Sequence, residues 1–153
     1  MFNEEIIADV IASFNSALIE VLRYVSLKRG ARIEAAEQLV GAISAFYDEI
    51  GRFLWSFPLL ANSQEKLTII DQHLTKTRLL VAKLSIHLPK NTHECLKRFL
   101  EDCYGDMRIW KRRVSGTASL DEWQIEPEKD HLNGNLAKSY NGALKSLRAI
   151  ARF

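Results

Sequence analysis

The sequence predicts an all-α protein, an up-and-down bundle of four to five long antiparallel helices in one domain over residues 1–153. Apolar residues recur about every 3.6 positions through long stretches of roughly six to seven helical turns each. Short breaks that contain glycine or proline separate these stretches, and helix-capping residues stand at the breaks. Short connections between long helices favour antiparallel neighbours.

The composition is that of an ordinary globular domain. The chain has 153 residues, a net charge of +2 and 47% hydrophobic residues, so neither a polyanion partner nor disorder is required. No run approaches the ~18 apolar residues of a membrane span, and the first residues lack the basic and apolar segments of a secretory signal. We therefore expect a cytoplasmic protein that does not enter a membrane.

The first predicted helix spans about Glu4 to Lys28, with Asn3 as its N-cap and Gly30 at its C-terminal end. The second spans about Ile33 to Phe57 and stops before Pro58. Each helix has one apolar face that we expect to enter the core. On the first helix this face comprises Ile7, Val10, Ile11, Phe14, Leu18, Val21 and Val25.

The third and fourth predicted helices open with similar capping sequences, at residues 62–65 and 91–94. They end at Pro89 and Gly116, respectively. Cys95 and Cys103 both lie on the fourth helix, about 12 Å apart along its axis, whereas a disulfide needs Cα atoms within ~7 Å. We expect both thiols to be reduced.

A polar connection of about residues 115–130 follows, in which Ser119 to Glu122 can cap a single turn. Pro127 prevents a longer helix there. The fifth predicted helix begins between Lys129 and Asn135.

Two acidic pairs lie on the second predicted helix: Glu34 with Glu37, and Asp48 with Glu49. Together with residues 51–55 they partly resemble the magnesium-binding motifs of MazG-type nucleotide pyrophosphohydrolases. The resemblance implies a helical enzyme that hydrolyses nucleotides. That family's last motif ends in Asp where this chain has Arg52, and on one helix the two pairs would lie about 17 Å apart. We therefore expect a solvated acidic face.

The segment from His73 to Lys76 partly resembles the phosphoacceptor motif of histidine phosphotransfer domains, which are also helical bundles. That family has glycine after the lysine, where this chain has Thr77. His73 flanks the apolar stripe of the third helix, so we expect it to be a hydrogen-bonded packing residue.

Other reactive side chains lack partners in the sequence. The helix dipole lowers the pKa of a thiol in the first turn, where Cys95 lies, but His93 points to another side of the helix. Metal sites in bundles use paired Glu-x-x-His units, and only one is present, from Glu128 to His131. We expect no catalytic residue, no metal site and no cofactor.

A basic ridge follows the fifth helix. It comprises Lys138, Lys145, Arg148 and Arg152. In an up-and-down bundle the C-terminal ends of the first, third and fifth helices share one pole, where Arg148 and Arg152 of the ridge would meet Arg29 and Arg32. These six residues are candidate contacts for nucleic acid or another anion. The competing interpretation is that cations near helix C-termini only offset the helix dipoles.

Trp55 falls on the polar arc of the second helix, where a tryptophan is unexpected. Either the 115–130 connection, with Trp123, covers it, or a partner does. The candidate partner contact therefore comprises Trp55, Asp48, Ser44 and Trp123.

These features favour a small cytoplasmic interaction module, an adaptor, regulator or immunity-type protein that binds a protein partner or a second copy of itself. The alternative is a nucleic-acid-binding accessory protein that uses the basic pole. An enzyme of the nucleotide pyrophosphohydrolase type is the third interpretation.

Overall fold

The computed structural model describes residues 3–56, 63–124 and 126–152, except for the side chains of Ser56 and Trp123. All regular structure in these ranges is helical, which confirms the all-α class. The helices are α1 (Glu4–Ser56), α2 (Ser63–Leu84), α3 (Lys90–Ser115), α4 (Leu120–Gln124), α5 (Pro127–Leu132) and α6 (Asn135–Ala151), with a 3-10 turn at Ser85–His87.

Four helices enclose one hydrophobic core. The C-terminal half of α1 packs against α2 and α6, and α3 packs against the same two helices. Phe46 of α1 and Phe99 and Trp110 of α3 are among the largest fully buried side chains. Burial of a side chain such as phenylalanine contributes about 1.5–3 kcal/mol, so this centre is a main source of stability.

The first two predicted helices are one continuous helix of 53 residues, about 80 Å long. The prediction that Gly30 ends a helix is wrong. A glycine that closes a helix adopts a positive φ, as Gly116 does at the end of α3 with φ 76°. Gly30 lies within α1 and does not, and six residues of good to moderate helix propensity follow it, at 31–36. Four helices longer than ten residues are therefore present in the described ranges, rather than five.

Two further predicted boundaries are wrong: α2 ends at Leu84, before the 3-10 turn, rather than at Pro89, and α3 begins at Lys90 without the predicted side-chain cap in residues 91–94.

The boundaries after Gly116 agree better with the structure. The Ser119 hydroxyl accepts a hydrogen bond from the Glu122 amide at 3.3 Å and caps α4. Pro127 begins α5, because the first turn of a helix needs no amide donor. α6 begins at Asn135, the last position of the predicted range of Lys129 to Asn135. The predicted stop at Phe57 and Pro58 and the predicted cap at Asn62 lie outside the described residues.

None of the helices in the described ranges is long and apolar enough to span a membrane.

Candidate functional site

The N-terminal half of α1, residues 4–30, is an arm that stands away from the core; the rest of the described chain is termed the body. Every residue of the arm is exposed. Twelve large apolar side chains are among them: Ile6, Ile7, Val10, Ile11, Phe14, Leu18, Ile19, Val21, Leu22, Tyr24, Val25 and Leu27. The predicted burial of the first helix's apolar face in this chain's own core is therefore wrong; Phe14, for example, is 68% exposed.

The arm has a regular seam of heptad a and d positions. Spacings of four and three residues alternate along it, which is the pattern of helices that pack lengthwise on other helices. The a positions are Glu4, Ile11, Leu18 and Val25, and the d positions are Ile7, Phe14, Val21 and Lys28. This set is termed the arm seam. Its six inner positions are apolar, and its two end positions carry opposite charges.

A polar stripe lies on the opposite side of the arm. It comprises Asp9, Ser13, Ser16, Glu20 and Arg23. The arm is therefore an amphipathic helix whose apolar side faces solvent in the isolated chain. Contiguous exposed apolar surface of this kind marks interaction sites in proteins.

A cleft of about 890 Å³ lies where the arm joins the body. The arm, the C-terminal part of α6 and the first turn of α3 form its walls. Its charged lining residues are all basic: Lys28, Arg29, Arg32 and Lys145. The Nε atom of Arg32 is buried and has no hydrogen-bond partner among the described residues. We call this the basic cleft.

The predicted basic pole comes together only in part. Arg29, Arg32 and Lys145 share the basic cleft. Lys138 instead lines a separate cavity of about 530 Å³ between α3 and α6. Arg148 and Arg152 are exposed and line neither space. Because α1 continues past Gly30, Arg29 and Arg32 lie beside a cleft rather than at a helix end. Whether either group binds an anion stays a prediction.

Trp55 is 73% exposed, so the part of the 115–130 connection that the structure describes does not cover it. It borders a shallow groove with Asp48, Arg52 and His131. Ser44 is engaged inside the molecule, since its hydroxyl accepts a hydrogen bond from the Tyr140 hydroxyl at 3.1 Å. The side chain of Trp123, in α4, lies outside what the structure describes. Partner contact at Trp55 and Asp48 stays a prediction.

His131, from the Glu-x-x-His unit, is a buried residue that attaches α5 to α1. The Tyr47 ring stacks between His131, at a centroid distance of 4.0 Å, and Tyr140, at 3.8 Å. His131 Nε2 donates to the Tyr47 carbonyl at 3.0 Å, and the Tyr47 hydroxyl donates to the His131 carbonyl. Burial raises the pKa of Tyr47 to about 12. Within the described ranges no three His, Cys, Asp or Glu side chains converge closely enough to hold a metal ion.

Asp106 of α3 is a partly buried carboxyl. Burial first, and then the carboxylates of Asp130 and Asp102, raise its pKa to about 7. Its Oδ2 atom is buried without a hydrogen-bond partner in the part of the chain that the structure describes. The carboxyl is therefore partly protonated at neutral pH.

The remaining sequence candidates have structural roles. His73 of α2 contacts the Glu49 carboxylate of α1 and packs edge-on against Phe46, with ring centroids 5.3 Å apart. This confirms the prediction that His73 is a hydrogen-bonded packing residue. Cys95 and Cys103 are both free thiols, as predicted, and burial raises the pKa of Cys103.

Neither the arm nor the basic cleft was found by reading the sequence, although both left signals there. The heptad spacing of the arm seam is visible in the sequence, but burial in the chain's own core and contact with a partner produce the same spacing. The continuity of α1 was the missing fact.

No protein-family model, curated protein or solved structure matches the chain. Only the geometry of the chain itself therefore bears on its function.

Proposed function

We propose that this chain is a small cytoplasmic interaction module, of the adaptor, regulator or immunity type, and that the arm seam is its docking surface. The observation that carries the proposal is the exposure of twelve large apolar side chains on a helix whose other half packs its apolar face into the core. Covering such a surface contributes about 25 cal/mol for each Å² of apolar area removed from water. A partner that supplies an apolar helical face would gain this free energy.

The charge of the arm favours a protein partner over a lipid or a nucleic acid. Before the two cations at its base, Lys28 and Arg29, the arm contains four acidic residues and one basic residue, Arg23; the acidic residues are Glu4, Glu5, Asp9 and Glu20. Helices that bind membrane surfaces are rich in lysine and arginine on their polar side. Nucleic-acid phosphates likewise require cations. The arm is thus suited to a surface that is apolar and locally basic.

The role proposed is binding rather than catalysis, without a cofactor. The acidic pairs of the MazG-type resemblance lie along the surface of α1, where Glu34, Glu37 and Asp48 are exposed and Glu49 contacts His73. An enzyme of that type stays the third interpretation, with Arg52 as the main argument against it.

The proposal is tested by the size of the assembly in extracts of the native cell. We expect the tagged chain to elute in size-exclusion chromatography well above its own 17.5 kDa. Phe14→Glu puts a charge on the arm seam and should return the chain to its own mass. Ser16→Glu adds the same side chain two residues later, on the polar stripe, and should behave as the unmodified chain. An assembly that Phe14→Glu leaves unchanged would refute the arm as a docking surface.

Nucleic-acid binding at the basic cleft is the second candidate. It is favoured by the four cations of the cleft and by the first turn of α3 at its wall, since a helix N-terminus attracts anions. Retention on heparin or RNA should then fall steeply with salt. Lys145→Glu should weaken retention at every salt concentration. Lys138→Glu, on the same helix but outside the cleft, makes the same charge change and should have a smaller effect. Equal effects would remove the cleft as the site.

A further inference from the structure

The arm seam is complementary to a second copy of itself in the antiparallel orientation. In an antiparallel helix pair, each a residue packs on a d residue of the other helix. One register satisfies this rule along the whole seam. It places Ile7 on Val25, Ile11 on Val21 and Phe14 on Leu18 of the second copy, and two-fold symmetry repeats each of these layers. All six layers are apolar.

The side chains that flank the seam fit the same register. Leu22 comes to lie beside Ala8 of the second copy, and Tyr24 beside its Val10. A large residue next to a smaller one lets two helices approach closely without a gap. Ala17 falls near the two-fold axis, where the two helices must approach most closely.

The charged ends of the seam decide the orientation. The next layer outward places Glu4 opposite Lys28 of the second copy, and symmetry puts this pair at both ends. A parallel pair would instead place Glu4 against Glu4 and Lys28 against Lys28. Like charges that face each other across a seam oppose association, and opposite charges favour it.

The basic cleft lies where this register places the acidic tip of the second arm. Val25, Lys28 and Arg32, which continue the seam toward the body, line the cleft. A second arm on the seam would therefore end with Glu4 and Glu5 among four cations. The buried Nε of Arg32 lacks an acceptor among the described residues, and the first turn of α3 also favours negative charge there.

The length of the contact is sufficient for a stable dimer. From Glu4 to Lys28 the seam runs about 36 Å. Most of the twelve exposed apolar side chains lie on or beside it. Their area is of the order that a standard interface buries, roughly 800 Å² on each partner.

We infer that the arm binds the arm of a second copy of this chain in antiparallel orientation, with a Glu4–Lys28 pair in the basic cleft at each end. The inference rests on the proposed function, because it identifies the partner of the same docking surface. The two bodies then lie at opposite ends of the paired arms.

Charge reversal on the purified full-length chain tests the register. Glu4→Lys and Lys28→Glu each turn two attractive contacts into two repulsive ones. Each should therefore raise the dimer dissociation constant, measured by sedimentation equilibrium, about tenfold or more. The chain that carries both changes restores opposite charges at both ends, so its dimer dissociation constant should return to within about threefold of that of the unmodified chain. Glu20→Lys makes the same chemical change on the polar stripe, and its dimer dissociation constant should stay within about threefold of that of the unmodified chain.

Engineered cysteines test the orientation. Under oxidation, a mixture of Ile7→Cys and Val25→Cys chains should form a disulfide between copies. Neither variant alone should form one, because two copies of residue 7 are about 27 Å apart in the antiparallel pair. The unmodified chain, with Cys103 buried and Cys95 half-buried, is the control.

The outcomes separate the two proposals. A purified chain that stays monomeric up to about 100 μM overturns the second-copy inference. If Phe14→Glu still dissolves the assembly in native extract, the arm is then a docking surface for a different protein. A dimer insensitive to both charge reversals, or a bridge in Ile7→Cys alone, overturns the antiparallel register. A dimer of the purified chain that Phe14→Glu leaves intact overturns the second-copy inference, and an assembly in native extract that it also leaves intact overturns both proposals.

Discussion

The two halves of α1 have similar patterns and opposite surroundings. In residues 31–56, Leu39 and Phe46 lie in the core and are 0% exposed. In the arm, Phe14 and Leu18 lie on the same kind of apolar stripe and are exposed. The heptad a positions run in one register through both halves, from Ile11 to Phe53. An apolar stripe thus shows which side of a helix becomes buried, but not whether this chain or another molecule buries it.

The boundary between the halves is marked by charge. Lys28, the last position of the arm seam, and Arg32, the next heptad a position, interrupt the apolar register where the two halves meet, and both line the basic cleft. A lysine or arginine is rarely buried in a core without an ion-pair partner. These cations are therefore placed where the stripe passes from the chain's own core to the surface offered to a partner.

The largest expected effect comes from truncating matched phenylalanines in the two halves. Phe46→Ala removes a fully buried ring and should lower the free energy of unfolding by about 3–5 kcal/mol. Phe14→Ala should change the free energy of unfolding of the body by less than about 0.5 kcal/mol, because nothing in the body packs on that ring. Urea melts at two protein concentrations separate the body from any association through the arm. A comparable loss of body stability in both variants would show that the arm folds back onto the core.

A second pair of substitutions compares two glycines in the buried half of α1. A methyl group at Gly51 would lie 2.7 Å from Cε1 of His131, so Gly51→Ala must displace the ring that attaches α5. We expect a loss of about 2–3 kcal/mol. Gly41 has nothing within 4 Å of the same methyl position, so Gly41→Ala should stabilise the helix by about 0.5–1 kcal/mol. The melting temperatures of the two variants should therefore shift in opposite directions from that of the unmodified chain. Shifts in the same direction would contradict the packing of His131.

Asp106 predicts a pH dependence that belongs to the body alone. Its folded-state pKa of about 7 lies above the usual value of 3.8, so folding favours the protonated form. This group's contribution to stability is therefore greatest below about pH 4 and decreases as the pH rises to about 7. Asp106→Asn should raise the free energy of unfolding at pH 8 by about 1–2 kcal/mol, less than the full shift implies because the group is partly exposed.

The measurement is a series of urea melts from pH 4 to pH 8. The Asp106→Asn chain should lose less stability over this range than the unmodified chain. Asp121→Asn, at an exposed position of α4, is the control and should follow the unmodified chain. Parallel pH profiles for the Asp106 variant and the unmodified chain would contradict the burial of that carboxyl.

Local features of the fold were predictable from the sequence, and long-range ones were not. The cap at Ser119, the stop at Gly116 and the start of α6 depend on residues within one turn of the boundary, and each was predicted correctly. Trp55 was correctly singled out as a break in the polar arc, but its exposure depends on where the 115–130 connection runs. That path is set by contacts such as His131 on Tyr47, which join residues 84 positions apart.

The site was less predictable than the fold. Arg29 and Arg32 were predicted to meet Arg148 and Arg152 at one pole, but they share the basic cleft with Lys145 instead, and Lys138 lines a different cavity. The geometry behind that prediction required a turn at Gly30. Since α1 continues there, Arg29 and Arg32 reach Lys145 because α1 packs beside α6.

The smallest expected effect on stability is at Gly30. Its sign distinguishes one continuous helix α1 from two helices that are separated at Gly30. In a continuous helix with nothing within 4 Å of the added methyl group, Gly30→Ala should stabilise the helix by about 0.5–1 kcal/mol. If the helix ended there with a positive φ, alanine would instead cost about 1 kcal/mol. Gly116→Ala, at φ 76°, is the matched control for that second case.

Hydrogen exchange of residues 24–30 should slow in Gly30→Ala, because the opening of the helix at the junction becomes less favourable. Faster exchange there, together with a loss like that of Gly116→Ala, would restore the two separate helices and remove the arm as an extended docking surface.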